Sequence, residues 1–306
     1  MTVEPTTEST PAASDTAPDP VAATTGLTVR YGTVDPDAVE MLGSFPPEQD
    51  GPVWMVNLMR YRDRADYADG RDTELTGREA DDLYAPLDVL ADIGAQVVFF
   101  GDVTDQLLGD GPPWDRVAVV KYPTHRSFLE MQTREDFSAH HVHKDAGMEA
   151  TFIIAGQPFA PPTWDGERPD PDRVPHPSTD EDGPVVVVHV VAFDRDSADT
   201  PEALATSIAH MDAYQAHAAT VAVPHGVSID GWFRAEATVV GDGRRWDQVR
   251  FNRFPSRAAF MAVVFDPSRL EVQHEHREVA MSDTYTLIVR PQIDTLPASW
   301  EGLVDG

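Results

Sequence analysis

One stretch of this sequence occurs twice, and that repetition limits what the chain can fold into. The first copy reads His141-Val-His143-Lys144-Asp-Ala-Gly-Met148-Glu-Ala-Thr151-Phe152. The second reads His274-Glu-His276-Arg277-Glu-Val-Ala-Met281-Ser-Asp-Thr284-Tyr285. Upstream of each lies another shared stretch, Gly109-Asp-Gly-Pro-Pro-Trp114-Asp115-Arg-Val117 and Gly241-Asp-Gly-Arg-Arg-Trp246-Asp247-Gln-Val249. The tryptophans are 132 residues apart, and His143 and His276 are 133 apart. A near-constant offset over so many positions defines a duplicated unit. The 306 residues suffice for two ordinary domains.

Each unit reads in the order β-α-β-β-α-β, the split-βαβ or ferredoxin-like arrangement. In the first unit, Val53 to Met59 is a nearly continuous apolar run interrupted by Asn57, which suits a strand buried on both faces. Thr76-Gly-Arg-Glu79 is a capping box for a helix carrying Ala80, Leu83, Tyr84 and Leu87, and Gly94 stands where a helix would stop. Strands follow at 96–100 and 117–122, then a helical region after Thr124 and a last strand at 151–155. The second unit repeats this with a strand at 185–191, a helix over 200–223, strands at 227–237 and 248–254, a helix opened by Ser256 and a strand at 285–289. His189 takes the place of Asn57, and Gly226 that of Gly94. The expected organisation is an acidic disordered tail over 1–26, repeats over 27–156 and 184–293, a Pro-rich linker over 157–183 and a loose tail over 294–306.

Composition narrows the partners. The formal net charge is −29. Such a surface repels phosphate backbones and anionic lipid, so neither nucleic acid nor membrane is expected as a partner. Cysteine is absent, so there is no disulfide framework and no thiolate chemistry. No apolar run approaches the ~20 residues of a membrane span. Arg30 is the first basic residue, so no secretion signal is expected and the cytoplasm is the expected location. Lys121 and Lys144 are the only lysines. An acid-rich, Lys-poor chain suits a high-salt cytoplasm or a high-GC genome equally well.

Several motifs resemble one family. They are Val56-Asn57-Leu58-Met59-Arg60-Tyr61-Arg62, Arg64-Ala-Asp66-Tyr67-Ala-Asp69-Gly70-Arg71, Gly77-Arg78-Glu79-Ala80, Arg253-Phe254-Pro255-Ser256-Arg257-Ala258-Ala259-Phe260 and His276-Arg277. Together they are similar to the domain-of-unknown-function family numbered 1330, of the dimeric α+β barrel superfamily, over roughly residues 50–156 and 184–291. The resemblance implies an α+β fold in which two sheets pair as a barrel. Members usually carry one unit and dimerise, whereas this chain can pair its own two units. The superfamily holds cofactor-free oxygenases, isomerases, cyclases and haem enzymes, so fold alone assigns no reaction.

Side-chain alternation then suggests a site. Val186, Val188 and Val190 share one parity and suit a helix-packed face, as do Val249 and Phe251. His189, Gln248, Arg250 and Asn252 would then line the barrel interior, where the first unit has Ala118 and Val120. Buried polar groups clustered in one copy point to a ligand site there. His189 would be the general acid or base and Arg250 the anion clamp, with Asn252, Trp232, Gln248 and Asn57 contacting substrate. The expected activity is proton transfer (isomerase, cyclase or lyase type) on a carbonyl or carboxylate compound, without organic cofactor or metal, by a monomer or homodimer. One alternative is a haem- or metal-dependent oxidoreductase using His210, His217, His274 or His276. Another is a non-catalytic small-molecule-binding protein. The paired histidines His141/His143 and His274/His276 point apart on a helix, and His143-Lys144 and His276-Arg277 read as helix-end residues bonded to backbone or acids. Trp114 and Trp246 are expected to anchor a sheet edge, and Asp115 and Asp247 to serve as turn or cap residues.

Overall fold

The computed structural model describes residues 19–111, 113–163, 169–195 and 199–304. Most of the acidic tail, Pro112 of the first turn, part of the Pro-rich linker and the last two residues lie outside that range. In the first half come α1 (Pro20–Thr25), β1 (Thr33–Val34), α2 (Pro36–Gly43) and β2 (Val53–Tyr61). They are followed by α3 (Gly77–Tyr84), α4 (Leu87–Asp92), β3 (Gln96–Leu108), β4 (Arg116–Tyr122), α5 (His125–Met131), α6 (Glu135–Gly147) and β5 (Met148–Pro158). The second half has β6 (Val185–Phe193), α7 (Pro201–Ala222), β7 (Ser228–Gly241), β8 (Gln248–Phe254), α8 (Arg257–Val264) and α9 (Pro267–Val272). A π turn (Gln273–Arg277), α10 (Glu278–Ala280), β9 (Met281–Asp294) and α11 (Leu296–Trp300) complete it.

Local signals fix several ends. Thr76 and Glu79 form the expected capping box at α3, and Thr124 and Ser127 form another at α5. Ser256 caps α8 by accepting from the Ala259 amide. Gly94 and Gly226 take φ of 73° and 81° where their helical segments end, a conformation glycine adopts without penalty. The described residues of both tails include helices, α1 and α11. Asp19 caps α1 in the region expected to be disordered, and Val21 packs on the core. At the other end Leu296 and Trp300 are buried, and the Trp300 indole N–H donates to the Asp230 carbonyl. The tail expected to be loose therefore closes one end of the barrel, because its two large apolar side chains find a place in the core.

Eight antiparallel strands close in the order β7-β5-β2-β4-β3-β9-β6-β8, with β8 returning to β7 and β1 added beside β7. The first repeat contributes β5-β2-β4-β3 and the second β9-β6-β8-β7. The repeats join at β5–β7 and β3–β9. Two ferredoxin-like units thus make a dimeric α+β barrel within one chain.

The barrel interior is an apolar core. Trp54, Val56, Leu58, Val117 and Val119 from the first repeat meet Val186, Val188, Val190, Val249 and Phe251 from the second. Phe251 stands edge-on to Phe99, with ring centroids 5.1 Å apart, which joins the repeats directly. Trp114 and Trp246 also lie in this core, not at a sheet edge. Asp115 and Asp247 accept from the backbone amides of Tyr61 and Phe193, each at 2.8 Å, the turn-closing role expected of them. Phe251→Ala should cost about 3–5 kcal/mol. In urea unfolding, a loss under 1 kcal/mol would show that the interior does not hold the repeats together.

Candidate functional site

The strand parity of the sequence separates the two faces correctly but assigns them the wrong way round. Val186, Val188, Val190, Val249 and Phe251 fill the barrel. His189, Arg250 and Asn252 face the helices instead, and Gln248 shares their strand parity. Both faces of β6 are apolar apart from His189, so the sequence offered no contrast to decide which is inside. Volume decides it: the aromatic rings of both repeats fill the barrel and leave the outward face to the polar groups.

That outward face borders a cavity of about 580 Å3 between the second-repeat sheet and α7, α8 and α9. Register lines up its floor. His189 on β6 is opposite Arg250 on β8 and Thr286 on β9, and Arg250 is opposite Trp232 on β7. The Arg250 guanidinium lies 4.5 Å from the Trp232 ring centroid, a cation–π contact. Its Nε donates to Gln248 Oε1 at 2.9 Å, and its Nη2 donates to the same oxygen. Gln248 does not itself line the cavity, so it positions Arg250 and does not meet a ligand directly. Asn252 lines the same space. Asn57 does not, because it belongs to the corresponding cavity of the first repeat and donates to the Met55 carbonyl.

The helix layer adds groups that the sequence did not single out as ligand contacts. Arg277 from the π turn, Arg269 from α9 and Tyr214 from α7 complete the polar lining. Arg269 Nη1 donates to the Tyr214 hydroxyl at 2.7 Å and to Gln273 Oε1 at 3.0 Å, and its Nε donates to the Val263 carbonyl. Among the described residues, Arg250, Arg269 and Arg277 form no ion pair with a carboxylate. The available signal was the duplication itself, since Arg277 stands where Lys144 stands in the first copy.

Electrostatics follow from this crowding. The His189 ring has no hydrogen-bond partner among the described residues. Burial, then Arg277, Arg250 and Arg269 beside it, lower its pKa to about 3. The imidazole is therefore neutral at pH 7 with a free ring nitrogen facing the cavity. Burial is also the largest effect on Arg250 and Arg277, and it lowers both below the ordinary guanidinium value. Arg250, which is buried, and Arg277, which is half-buried, have no carboxylate within ion-pair distance among the described residues and make an electropositive pocket in a chain that is acidic overall.

The four histidines considered for haem or metal lie elsewhere. His210 and His276 approach with Nδ1 atoms 3.3 Å apart, and His274 Nδ1 meets Glu278. The His217 Nε2 is buried without a partner. None of the four lines the cavity. Among the described residues, no three His, Asp or Glu side chains cluster as a metal site would require. A haem in this cavity would find its one imidazole donor in His189, with the three arginines suited to its propionates.

No family model matches the sequence, and no curated protein matches it. Among solved structures, the Rhodopseudomonas palustris protein RPA0582, described as of unknown function, is 30% identical, covering 42% of this chain and 99% of that chain, with a TM-score of 0.38. Its methylated form is 32% identical, covering 43% of this chain and 98% of that chain, also with a TM-score of 0.38. On that identity over nearly its whole length, the chain belongs to the same family as that protein. An anthrone oxidase-like protein is 13% identical, covering 82% of this chain and 97% of that chain, with a TM-score of 0.46. Chlorite dismutase from Candidatus Nitrospira defluvii, in complex with imidazole, is 12% identical, covering 82% and 96%, with a TM-score of 0.43. The activities in those last two names remain those proteins' own. The narrower likeness to family 1330 has no matching family model behind it. No helix among the described residues is long and apolar enough to cross a membrane.

The depressed His189 pKa has a consequence for stability. The unfolded histidine titrates near ~6.5, above the folded value, so the unfolded chain binds more protons between those limits. Stability should therefore fall as pH drops below about 6.5, by at most about 2 kcal/mol at pH 5 through this group. Urea unfolding at pH 7 and pH 5 checks it. His189→Asn should flatten that part of the slope, and an unchanged slope would mean that the imidazole already protonates freely in the folded state.

Proposed function

We propose that the second-repeat cavity binds a small apolar carbonyl or carboxylate compound and that His189 moves a proton on it. One observation carries this reading. A neutral imidazole without a hydrogen-bond partner and arginines without carboxylate partners converge on the same largely apolar space. Arg250, held by Gln248 and stacked on Trp232, is oriented to receive an oxygen anion. Asn252 and Tyr214 offer further polar contacts.

The proton step follows from the charge balance. In the empty cavity burial, and then the arginines, keep His189 unprotonated. A substrate that loses a carbon-bound proton to His189 Nδ1 or Nε2 becomes an enolate. The enolate charge lies against the guanidiniums, and the new imidazolium lies beside an anion. The repulsion that adds to burial in holding the imidazole neutral is offset at the moment the proton moves. This is the first step of an isomerisation, a cyclisation or an elimination.

Hydrogen–deuterium exchange at the α-carbon of apolar β-keto acids, followed by proton NMR in D2O, tests the reading. Wild type should catalyse exchange, and His189→Ala should lose it while still binding the compound. Arg250→Leu should weaken binding about 10–100-fold, the worth of a charged hydrogen bond. Exchange that survives in His189→Ala would remove His189 from the chemistry.

A second reading is favoured by the same free nitrogen. A haem would be held by the free His189 ring nitrogen together with Arg250, Arg269 and Arg277. Bound haem would supply oxidative chemistry. Haem titration separates the two readings. A stoichiometric Soret band lost in His189→Ala supports the haem reading, and no band at stoichiometric haem supports proton transfer.

A further inference from the structure

The first repeat has its own cavity, of about 300 Å3, in the corresponding place between sheet and helices. Its strand floor is mostly apolar, broken by Asn57 and by Arg116, which is paired with Asp81 and Asp102. Met55, Met59, Ala118, Val120 and Ile153 line it with Asn57. Its reactive groups come from the helices and the entry segment: Lys144 and His141 on α6, Tyr84 and Asp81 on α3, and Tyr31.

Lys144 is the unusual member. It is 5% exposed, yet its side chain has no hydrogen-bond or ion-pair partner among the described residues. Its Nζ lies 5.1 Å from the Tyr84 ring centroid and 5.6 Å from that of Tyr31. The nearby carboxylate, Asp81, is already engaged: it accepts from the Tyr61 hydroxyl at 2.6 Å and pairs with Arg116 at 3.3 Å. Close backbone packing fixes this arrangement. A Cβ on Gly77 would stand 2.3 Å from the Gly147 carbonyl oxygen, so only glycine lets α3 and α6 approach so nearly. Leu87 is 62% exposed and lines the same cavity, so the space opens to solvent beside it.

We propose that this cavity is a second ligand site, for a small apolar aldehyde or ketone, and that the Lys144 amine captures its carbonyl carbon as an imine. The amine nitrogen adds to the carbonyl carbon, and the former carbonyl oxygen leaves as water. That water carries away both protons of the amine as the carbon–nitrogen double bond forms. No oxidant or reductant enters. The Tyr31 hydroxyl, 2.9 Å from His141 Nε2, borders the same space and is the group assigned to relay protons. Burial supports the chemistry independently, because it lowers the Lys144 ammonium to about 8 and the His141 imidazole to about 4. A desolvated lysine of this kind supplies free amine near neutral pH.

The sequence itself makes the test clean. The one other lysine, Lys121, donates to the Ser299 carbonyl at 2.6 Å and serves as an internal reference. The full chain is incubated with hexanal and cyanoborohydride at pH 8, digested, and mapped by mass spectrometry. Label on Lys144 should exceed label on Lys121 by at least about tenfold, as expected of a selectively activated amine. Lys144→Arg, which keeps the charge but cannot form an imine, should lose that label while near-UV circular dichroism stays native-like. Equal label on both lysines, label confined to Lys121 or the amino terminus, or no label would overturn the proposal. The wild-type map decides it even if the variant fails to fold.

Discussion

Four aromatic rings at the centre of the barrel hold the two repeats in register. Trp114 stands edge-on to Phe152 at 4.7 Å and to Tyr285 at 5.8 Å. Trp246 meets Tyr285 at 5.4 Å and Phe152 at 6.0 Å. Each ring has its counterpart in the other repeat, so the contact is pseudo-symmetric. Edge-to-face pairs of this kind contribute about 0.5–1.5 kcal/mol each beyond area burial. Both indole nitrogens lack a hydrogen-bond partner among the described residues, so packing holds the cluster together. The Tyr285 hydroxyl donates to the Asp110 carbonyl and accepts from Arg244, which satisfies its polar end.

A filled barrel sends the chemistry outward. With the interior occupied by rings and branched side chains, space remains where each sheet meets its helices. Each repeat has a cavity there, and the two differ in where their polar groups originate. The second repeat takes His189 and Arg250 from the strands, with two more arginines from the helix layer. The first keeps a mostly apolar strand floor, with Asn57 and the ion-paired Arg116, and places Lys144, His141 and Asp81 on helices. Duplication thus preserves the position of each space while its charges diverge. The larger cavity concentrates cations around a neutral imidazole, and the smaller isolates one amine among aromatic rings.

Both sites carry a cost in stability. A buried cation without a partner is unfavourable, and its pKa shifts toward the neutral form. That cost persists in Arg250, Arg277 and Lys144 although the chain has 52 acidic residues available to neutralise them. Several other arginines are paired, among them Arg116 with Asp81 and Asp102, Arg195 with Asp247, and Arg257 with Asp105. Arg250, Arg277 and Lys144 line the two cavities, where cations without an ion pair can be kept for a ligand.

The sequence by itself determined the duplication, the order of strands and helices, several caps, and the choice of His189, Arg250, Asn252 and Trp232 as neighbours. All of these rest on short-range signals: a constant offset, capping residues, glycines at helix ends, and period-two alternation. Only the tertiary structure decided which face of β6 is inside, because a strand apolar on both sides has no local preference and the volume of the opposing repeat settles it. It also brought Arg269, Arg277 and Tyr214 to His189, and Tyr31 and Asp81 to Lys144. Those groups lie far apart in the chain or on helices whose rotation is set by packing, so alternation along a single strand could not reach them. The terminal segments make the same point, since Trp300 is ordered by a core it does not itself create.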